Sequence, residues 1–495
     1  MQGRRVSDRV HGELQLPALA AELTATVEFA RLRRILQLGA CHMVFPAASH
    51  TRFEHSLGVC HLGGVIARHL QRSLDVQDDD VLCVQLAGLL HDLGHGPLSH
   101  LFEAFVPGFR HEEMSVTLFR LLLQRHPEIR PETHFAGDVQ RNLAFVELLI
   151  RGHDPSQPWP EAEVGRPHAK RYLADIIHAH TTGIDADRLD YLLRDTLAVF
   201  GSTNMFCVSR LIAAMRIHED TICFDESVAQ EVADVYRLRA RLHRQLYQHR
   251  AVLVAERLHR ELMHSIDLHS DTKLAELAAD PVRFVELDDS TVLRPRDMTD
   301  PLYSTPCRAA FLRLFRRPWV QRVPLTVSLP TKPYCCSCRH ETEIADIFCA
   351  LCGTLTAARP CIRDGRGWCE PPECALSATD IEAALRKVHA CEDVWVTVAD
   401  VSCGASRGVR DRHGATWMDH DALASVTFLD HAGAPLVKVA SELFLAPQRG
   451  RMRLVYCYLP VEADDTSVRV VSSVFREWGE RSGTVSQLSA CDIVP

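Results

Sequence analysis

Histidine and aspartate are concentrated around position 91 of this 495-residue sequence. The dipeptide His-Asp occurs at 91, 153 and 420, but only His91-Asp92 ends an apolar run, and it is followed by His95, a Gly-Pro pair and His100. Residues four apart share one helix face, so we expect His91 and His95 to lie side by side on a buried helix. Because a buried imidazole or carboxylate must be paired or bind a metal, the pattern predicts a metal site. A hydrogen-bonded pair of core histidines is the alternative.

Two flanking motifs contain further donors for such a site. His55 lies upstream, in a motif that also holds His50 and Arg52, and Asp187 lies downstream in Gly-Ile-Asp-Ala-Asp. A mixture of imidazole nitrogens and carboxylate oxygens suits iron, manganese, magnesium or another divalent ion. Such an ion lowers the pKa of a bound water and neutralises phosphate oxygens, so the predicted chemistry is hydrolysis of a phosphate ester.

The elements that must position these residues are mostly helices. Apolar residues recur at helical spacing between residues 20 and 317, in the segments 32–38, 81–90, 116–123, 143–150 and 228–262. A short hairpin is expected near 215–224. Beyond residue 377, alternating patterns predict strands at 394–401, 424–429 and 452–459 and a helix near 468–478. We therefore predict a mainly α protein with a helical core at 1–317 and a small α/β lobe at 377–495.

The composition excludes several classes of protein. An apolar fraction of 46% is that of a globular chain, and a net charge of −9 argues against a globally basic nucleic-acid binder. No run of about 18 apolar residues predicts a membrane span, and the N-terminus lacks the apolar stretch of a signal peptide. We expect a soluble intracellular protein, in the nucleus or cytoplasm, with no membrane partner.

A cysteine-rich segment at 318–376 separates the two regions. Cys335 and Cys338 are followed after ten residues by Cys349 and Cys352, which is the spacing of a zinc ribbon with four thiolate ligands. We predict a structural zinc here, the alternative being unpaired buried thiols. The module could support an oligomer, bind a protein or contact single-stranded nucleic acid, and the sequence does not choose among these.

The motifs resemble those of a known family. The segments 44–58 and 91–100, together with Asp187, Asp190-Tyr191 and Arg194-Asp195, are similar to the HD-domain deoxynucleoside triphosphate triphosphohydrolases. The resemblance covers about residues 5–260 and is strongest to the animal members that carry a sterile alpha motif, which we expect to be absent here. It implies an HD-domain core with the metal ligands His55, His91, Asp92 and Asp187.

The resemblance also implies the reaction and the residues that surround the metal. Water would attack the α-phosphorus of a dNTP and release the deoxynucleoside and intact triphosphate. The departing 5′-oxygen needs a proton, and His100 resembles the family's general acid. Glu103 stands where the family has a shorter aspartate that orients this histidine, and His95 and His111 resemble supporting phosphate contacts.

The substrate cradle also resembles that of the family. The residues that would grip the phosphates are Arg52, Arg188, Arg239 and His243. Those that would surround the sugar are Gln37, Leu38, Tyr191, Asp195 and Tyr247. A tight apolar wall beside the 2′-carbon would exclude ribose, because the added hydroxyl would be buried without a partner.

The resemblance breaks at the pocket where the animal enzymes bind an activating guanine nucleotide that drives tetramer assembly. Ala25 and Ala30 replace an acidic residue and a glutamine, and Asp225 and Ser227 replace a basic pair. An anion in place of cations inverts the interaction with a triphosphate. We expect guanine-nucleotide activation to be lost or altered, although Arg33, Arg210 and Arg250 still match basic positions. A homo-oligomer, dimer or tetramer, remains expected.

Two other functions compete with a dNTP triphosphohydrolase that lowers dNTP pools. One is a different HD phosphohydrolase, such as a nucleotidase, pyrophosphatase or nuclease. The other is a regulatory protein in which the site only binds a nucleotide or nucleic acid. The matched cradle disfavours the first, and the complete set of metal and acid residues disfavours the second.

Overall fold

The computed structural model describes most of the first 293 residues and shorter stretches of the remainder. The described residues are 3–202, 205–269, 273–293, 312, 321–329, 334–335, 368–369, 395–402, 426–429, 435, 451–459, 469, 471–473, 475–476 and 484–487. The chain divides into two compact units, each built from separate stretches. The first comprises Met1–Leu242, Ala255–Leu312 and Gly404–Gln448, and the second comprises His243–Val254, Arg313–Cys403 and Arg449–Pro495.

Helices dominate the described part of the chain. The α-helices are α1 (Ala18–Leu23), α2 (Val27–Ala30), α3 (Arg52–Gln71), α4 (Asp78–Leu90), α5 (His100–Phe105), α6 (His111–Arg125), α7 (Val139–Arg151), α8 (Glu161–Val164), α9 (Ala186–Phe200), α10 (Val208–Ala213), α11 (Ala229–Leu242), α12 (Arg250–His269), α13 (Leu274–Ala279), α14 (Pro281–Phe284) and α15 (Asp289–Leu293). Short 3-10 helices lie at Arg31–Arg34, Gly39–Met43, Pro131–Thr133, His168–Ile176 and Glu226–Val228, and a π-helical turn at His243–Tyr247.

The strands form small sheets. They are β1 (Arg4–Asp8), β2 (Gly12–Leu16), β3 (Met215–His218), β4 (Thr221–Asp225), β5 (Gln321–Leu329), β6 (Tyr334–Cys335), β7 (Trp368–Cys369), β8 (Trp395–Ser402), β9 (Phe428–Leu429), β10 (Arg451–Leu459) and β11 (Thr484–Gln487). In the first unit β1 and β2 form an antiparallel hairpin, and β9 adds in parallel to the β3–β4 hairpin, with Phe224 opposite Phe428. In the second unit an antiparallel sheet has the order β11-β5-β10-β8, and β6 pairs with β7.

Two of the three helices that carry the predicted site have side-chain capping signals at their N-termini. Helix α4 begins with a reciprocal capping box between Gln77 and Asp80. Helix α9 begins at Asp185, whose side chain accepts a hydrogen bond from the Arg188 backbone N–H at 2.8 Å. Helix α3 begins after Thr51, whose backbone is extended. These starts place His55 and Asp187 within the first turns of their helices.

Helices α3 and α4 pack tightly because small residues line their contact. A Cβ atom on Gly88 of α4 would lie 3.0 Å from the backbone carbonyl carbon of Val59 in α3. Both helices are buried over most of their length. In α4 this follows from the nearly continuous apolar run after its acidic first turn. The packing brings the first turn of α3 next to the end of α4.

The prediction of a mainly α protein is confirmed, as are the hairpin near 215–224 and the strands at 394–401 and 452–459. The helix predicted at 32–38 is wrong, because the 3-10 helix ends at Arg34 and Ile35 is extended with φ −118° and ψ 115°. A single helix face for His91 and His95 is also wrong, because α4 ends at Leu90 and the chain continues in tighter turns.

The predicted zinc module lies largely outside the described residues. Cys338, Cys349 and Cys352 fall outside them, and for Cys335 the structure describes only its backbone in β6. The zinc ligands and the three-domain division at 317 and 376 stay predictions. None of the helices that the structure describes is long and apolar enough to cross a membrane.

Candidate metal centre and active site

Four side chains from three helical segments converge in the first unit. His55 comes from α3, His91 and Asp92 follow α4, and Asp187 comes from α9. The donor atoms of His55, His91 and Asp92 lie within 4.8 Å of one another. The Asp187 Oδ1 atom lies 2.9 Å from His55 Nε2 and 3.5 Å from His91 Nε2. His55 and Asp92 are buried, whereas the Asp187 side chain is 36% exposed, so the cluster opens to solvent beside Asp187.

The His91 ring is held in the tautomer that a metal ligand requires. Its Nδ1 atom lies 2.9 Å from the Gly88 carbonyl oxygen, which can only accept, so Nδ1 carries the proton. The lone pair of Nε2 therefore points toward Asp92 and Asp187, at 3.4 and 3.5 Å. This buried nitrogen has no hydrogen-bond partner. A cation between the ring and the carboxylates would satisfy all of these acceptors.

The His55 ring is held by a carboxylate on its far side. Its Nδ1 atom donates to Asp190 Oδ2 at 2.8 Å, which leaves Nε2 directed at Asp92 and Asp187. Asp190 is fully buried and is bound in turn by both Nε and Nη2 of Arg194, at 2.8 and 2.9 Å. A carboxylate behind a ligating histidine fixes the ring and increases its basicity.

The N-terminal hairpin completes this outer network. His11, in the β1–β2 turn, lies with Nε2 2.7 Å from the second oxygen of Asp190. Asp8 at the end of β1 accepts from Arg194 Nη1 at 2.8 Å. His11 and Asp8, near the start of the chain, thus help to hold His55 of α3 in place through Asp190 and Arg194 of α9.

The charges of the cluster favour a cation. Burial raises the pKa of Asp92, but the Arg52 guanidinium and His91 outweigh burial and hold it well below its usual range. Burial likewise opposes ionisation of Asp187, but the neighbouring His55 and His91 rings lower its pKa. Burial lowers the pKa of His55, whereas its bonds to Asp187 and Asp190 raise it to about 10. With two ionised carboxylates facing two imidazoles, the residues present fit a divalent metal.

A second group of ionisable side chains lies beside the metal ligands. The His95 and His111 rings stack at 4.0 Å, and the His100 ring meets His95 edge-on at 4.9 Å. Glu103 Oε2 lies 2.9 Å from His111 Nδ1 and 3.4 Å from His100 Nδ1, so the longer carboxylate contacts both rings. His95 Nε2 lies 3.2 Å from Asp92, which joins this group to the metal ligands.

The members of this group differ in exposure and charge. His95 is 1% exposed, and burial followed by the neighbouring Arg52 holds its pKa well below the usual value, so the ring is neutral. The His100 side chain is 72% exposed. The group thus combines a buried neutral imidazole with an accessible one that can exchange protons with solvent.

The predicted phosphate-binding arginines lie close to the metal ligands. Arg52 donates through Nη1 to Asp92 and through Nε to the Ser99 hydroxyl, the latter at 2.8 Å. Arg188 follows Asp187 in α9 and donates to the Gly183 carbonyl. Both guanidinium groups are buried, so they supply positive charge in a region of low solvent access.

The residues predicted to surround the sugar each make different contacts in the structure. The Gln37 Oε1 atom is buried without a hydrogen-bond partner. Asp195 accepts from His50 Nε2 at 2.8 Å, and the Tyr191 hydroxyl accepts from Arg239 Nη1 at 2.5 Å. Leu38 precedes the 3-10 helix Gly39–Met43. His243 and Tyr247 belong to the second unit, where their rings contact each other at 5.1 Å.

Context separates the first two His-Asp dipeptides as the sequence predicts. The His153 ring stacks on Trp159 at 5.0 Å, and its Nδ1 donates to the Asp154 carbonyl. His420-Asp421 falls outside the described residues.

Sequence reasoning missed several supporting residues. His11 and Asp8 lie far from the motifs and carry no local signal for a role at the metal. Arg31 and Asp289, which hold the loop after His95, were missed for the same reason, and Ser99 was missed although it lies within the 91–100 motif. Only Asp190, three residues after Asp187 on one helix, had a spacing that could have indicated its position.

These observations define a histidine- and aspartate-lined centre on a helical scaffold, which is the arrangement of an HD domain. Residues 52–195 match the family model described as HD domain. The chain therefore contains an HD domain, and the match begins at Arg52 and ends at Asp195.

Several similar curated proteins are named as deoxynucleoside triphosphate triphosphohydrolases. The deoxynucleoside triphosphate triphosphohydrolase SAMHD1 of Gallus gallus is 36% identical over 279 residues, covering 53% of this chain and 45% of the relative. That of Homo sapiens is 38% identical, covering 50% and 42%. The SAMHD1 homolog of Dictyostelium discoideum is 30% identical, covering 60% and 55%. The chain spans about half the length of the curated relatives it matches, and it resembles HD-domain dNTP triphosphohydrolases.

Proposed function

We propose that this protein is a metal-dependent phosphohydrolase that converts dNTPs to deoxynucleosides and inorganic triphosphate, and so lowers dNTP pools. The observation that carries the proposal is the convergence of His55, His91, Asp92 and Asp187 next to the His95, His100 and His111 group. Relatives named as deoxynucleoside triphosphate triphosphohydrolases support it, as does the HD domain in this chain.

The four ligands would hold a divalent metal, either iron, manganese or magnesium. When bound, such an ion lowers the pKa of a coordinated water and neutralises charge on phosphate oxygens. The chain's own contribution is to hold the Nδ1 side of both rings on the Gly88 carbonyl and the Asp190 carboxylate, so that both Nε2 atoms face the position of the ion. It also keeps Asp92 ionised through Arg52.

The proton needed by the leaving group would come from His100. Water oxygen bonds to the α-phosphorus, the bond from phosphorus to the 5′-oxygen breaks, and a proton from the acid neutralises that oxygen. The exposed His100 ring can regain its proton from solvent, and Glu103 would orient it from 3.4 Å. Glu103 also contacts His111, so the longer carboxylate would order both rings.

Recognition of the substrate would use buried cationic side chains and one side-chain amide oxygen that has no hydrogen-bond partner. Arg52, Arg188 and Arg239, together with His243, would bind phosphate oxygens, which suits the charge and planar shape of guanidinium. Gln37 Oε1, buried and without a hydrogen-bond partner, would accept from the 3′-hydroxyl. The resemblance implies that Asp195 and Tyr247 would also contact the sugar. Leu38 and Tyr191 would exclude the 2′-hydroxyl of ribonucleotides.

We further propose that guanine-nucleotide activation is lost or altered. A cavity of about 420 Å³ in the first unit includes Arg33, one of the basic positions shared with the activator pocket of the animal enzymes. Ala25 and Ala30 supply no polar side chain for a base, and the Asp225 carboxylate adds negative charge near Ser227. Arg210 is ion-paired with Glu231, which reduces its availability to a phosphate.

The remaining proposals concern assembly and the zinc module. A homo-oligomer, dimer or tetramer, is proposed from the resemblance. A structural zinc bound by Cys335, Cys338, Cys349 and Cys352 is proposed from their spacing. This module would contribute to the oligomer or contact a protein or single-stranded nucleic acid.

The test is a product assay on the purified chain. Each dNTP and NTP is incubated with Mn²⁺ or Mg²⁺, with and without GTP, and the products are separated by chromatography. Deoxynucleoside and intact triphosphate, formed from dNTPs without GTP, are the expected products. Diphosphate or phosphate as product would instead indicate another HD phosphohydrolase.

Two further outcomes separate the activator proposal from the enzyme proposal. The expected products formed only with GTP would support the enzyme and refute the loss of activation. Measurable nucleotide binding with no turnover under any condition would favour a regulatory protein on an HD scaffold.

A further inference from the structure

The loop that leads to His100 has a backbone that needs external support. Leu98 and Ser99 have φ values of 59° and 60°, although neither is glycine. Side chains disfavour this region, so the surrounding structure must hold the loop in place. The residues that hold it are therefore candidates for a role in positioning His100.

Asp289 joins this loop to the segment that carries Gln37. Its Oδ1 accepts from the Leu98 backbone N–H at 2.7 Å, and its Oδ2 accepts from the Leu36 backbone N–H at 2.9 Å. The residue is 7% exposed. Because the two oxygens of one carboxylate have a fixed separation, Asp289 fixes the distance between the two amide nitrogens.

Ser99 and Arg52 reinforce the same connection. The Ser99 hydroxyl donates to the Leu36 carbonyl at 2.7 Å and accepts from Arg52 Nε at 2.8 Å. Arg52 also donates to Asp92, one of the proposed metal ligands. The loop is thus joined to the Leu36 segment through Asp289 on one side and Ser99 on the other.

A buried arginine ties the start of the loop to the same part of the chain. Arg31, fully buried, donates to the carbonyls of Leu93, His95 and Leu287, at 2.8, 2.8 and 2.9 Å. The segment 287–289 is therefore joined to the start of the loop through Arg31 and to Leu98 through Asp289. It lies about a hundred residues beyond the matched HD domain, which ends at residue 195.

We propose that Asp289 is a positioning residue that sets the spacing between the proton-donating loop at His100 and the sugar-facing segment at Gln37 and Leu38. This inference rests on the proposed dNTP hydrolysis. Burial raises the pKa of Asp289 to about 6, opposed by its bonds to Leu98 and Leu36, so the carboxylate is ionised and accepts from both amides in an assay at pH 8. Asp288 and Arg52 are the charged groups that act on it.

The test compares Asp289→Asn with Asp288→Asn. The first substitution keeps the size of the side chain but leaves one acceptor oxygen in place of two, so one amide loses its partner. Asp288 is similarly buried but binds Ser290 and Arg34 rather than the loop, which makes it the matched control. The measurements are kcat and KM for a dNTP and its ribonucleotide, metal content, and hydrogen exchange of the Leu36 and Leu98 amides.

We expect D289N to lower kcat for the dNTP by about tenfold or more, because small misplacement of an acid is costly, with little change in KM. We expect the preference of D289N for the dNTP over the ribonucleotide to fall and its metal content to be unchanged. The backbone amide of Leu36, of Leu98 or of both is expected to exchange faster than in the wild type. D288N is expected to retain the wild-type kinetics. Wild-type kcat and preference in D289N would overturn the proposal.

A hydrogen-exchange measurement and a second variant distinguish a failure of this proposal from a failure of the proposed function. If the wild-type chain hydrolyses no dNTP, the proposed function fails, and exchange at Leu36 and Leu98 still tests the bridge: unchanged exchange in D289N overturns it. If D289N does not fold, Ser99→Ala removes the parallel link through a smaller change. S99A is expected to lower kcat and preference in the same direction, and unaltered values would overturn the inference.

Discussion

At the residue scale, the metal centre depends on carboxylates that face two buried imidazoles. Asp92 lies 3.5 Å from His55 Nε2 and 3.4 Å from His91 Nε2, and Arg52 keeps it ionised. The negative charge of Asp92 is therefore required both to attract the metal cation and to balance the positive charge of the buried Arg52. Removing that charge leaves Arg52 buried without its carboxylate partner, which is costly.

We expect Asp92→Asn to abolish stoichiometric metal binding and to reduce dNTP hydrolysis to background. The measurement is metal content by mass spectrometry together with product formation. The matched control is Asp154→Asn in the second His-Asp dipeptide, because Asp154 caps an exposed turn through Ser156. Retention of a full metal complement by D92N would show that Asp92 is not a ligand.

The outer carboxylate network gives a second prediction at this scale. His11 holds one oxygen of Asp190 while the other holds His55. We expect His11→Ala to weaken metal affinity by about tenfold or more, as loss of such supporting partners does in other metal sites. The affinity is measured by titrating the metal-free protein with Mn²⁺.

His61→Ala is the control for this change. The His61 ring lies 5.6 Å from the His11 ring, so this variant also removes a histidine from the same region. Equal metal affinity in the H11A and H61A variants would contradict a specific role for His11.

At the element scale, the position of Asp190 depends on how α3 meets α9. A Cβ atom on Gly58 of α3 would lie 1.8 Å from Asp190 Oδ1 and 2.5 Å from Arg194 Nη2. Glycine at this position is thus what lets a buried ion pair on α9 approach the helix that carries His55. The packing of α9 against Gly58 therefore helps to set the position of His55, one of the proposed metal ligands.

We expect Gly58→Ala to displace Asp190, to destabilise the protein by about 1–3 kcal/mol and to weaken metal binding. Gly63→Ala on the same helix is the control, because the atoms nearest its Cβ would be side-chain carbons of Val84 and Ile177, at 3.1 and 3.2 Å, and not a buried ion pair. Thermal unfolding and metal content are measured for both. A G58A variant that keeps wild-type metal affinity would refute this coupling between α3 and α9.

At the scale of the whole molecule, the chain combines an HD centre in one unit with a cysteine-rich segment predicted to hold zinc. The two sites have different ligand chemistry, since thiolates favour zinc and mixed imidazole and carboxylate sites accept harder ions. Loss of one metal should therefore leave the other in place.

We expect the double variant Cys335→Ser and Cys338→Ser to lose one zinc per chain and to keep the metal at the HD centre. Metal content is measured on the purified full-length chain. Cys207→Ser is the control, because Cys207 is an exposed free cysteine in the first unit. Zinc content equal to that of the wild type in the double variant would disprove the zinc ribbon.

The sequence by itself determined the kind of chemistry and the mainly α architecture. Apolar periodicity predicts helices because it reports which face is buried, and the motifs at His55, His91-Asp92 and Asp187 predict donors because their residue types are costly to bury unpaired. The spacing of residues along the sequence predicted a helix at 32–38 and between His91 and His95, where the structure has tighter turns instead.

Only the tertiary structure decided how these donors are oriented. The orientation of the His55 ring depends on Asp190, and the loop before His100 depends on Asp289. His11 and Asp289 lie 179 and 191 residues from their partners Asp190 and Leu98. No local pattern encodes such contacts, because hydrogen bonds across these separations form only once the helices have packed.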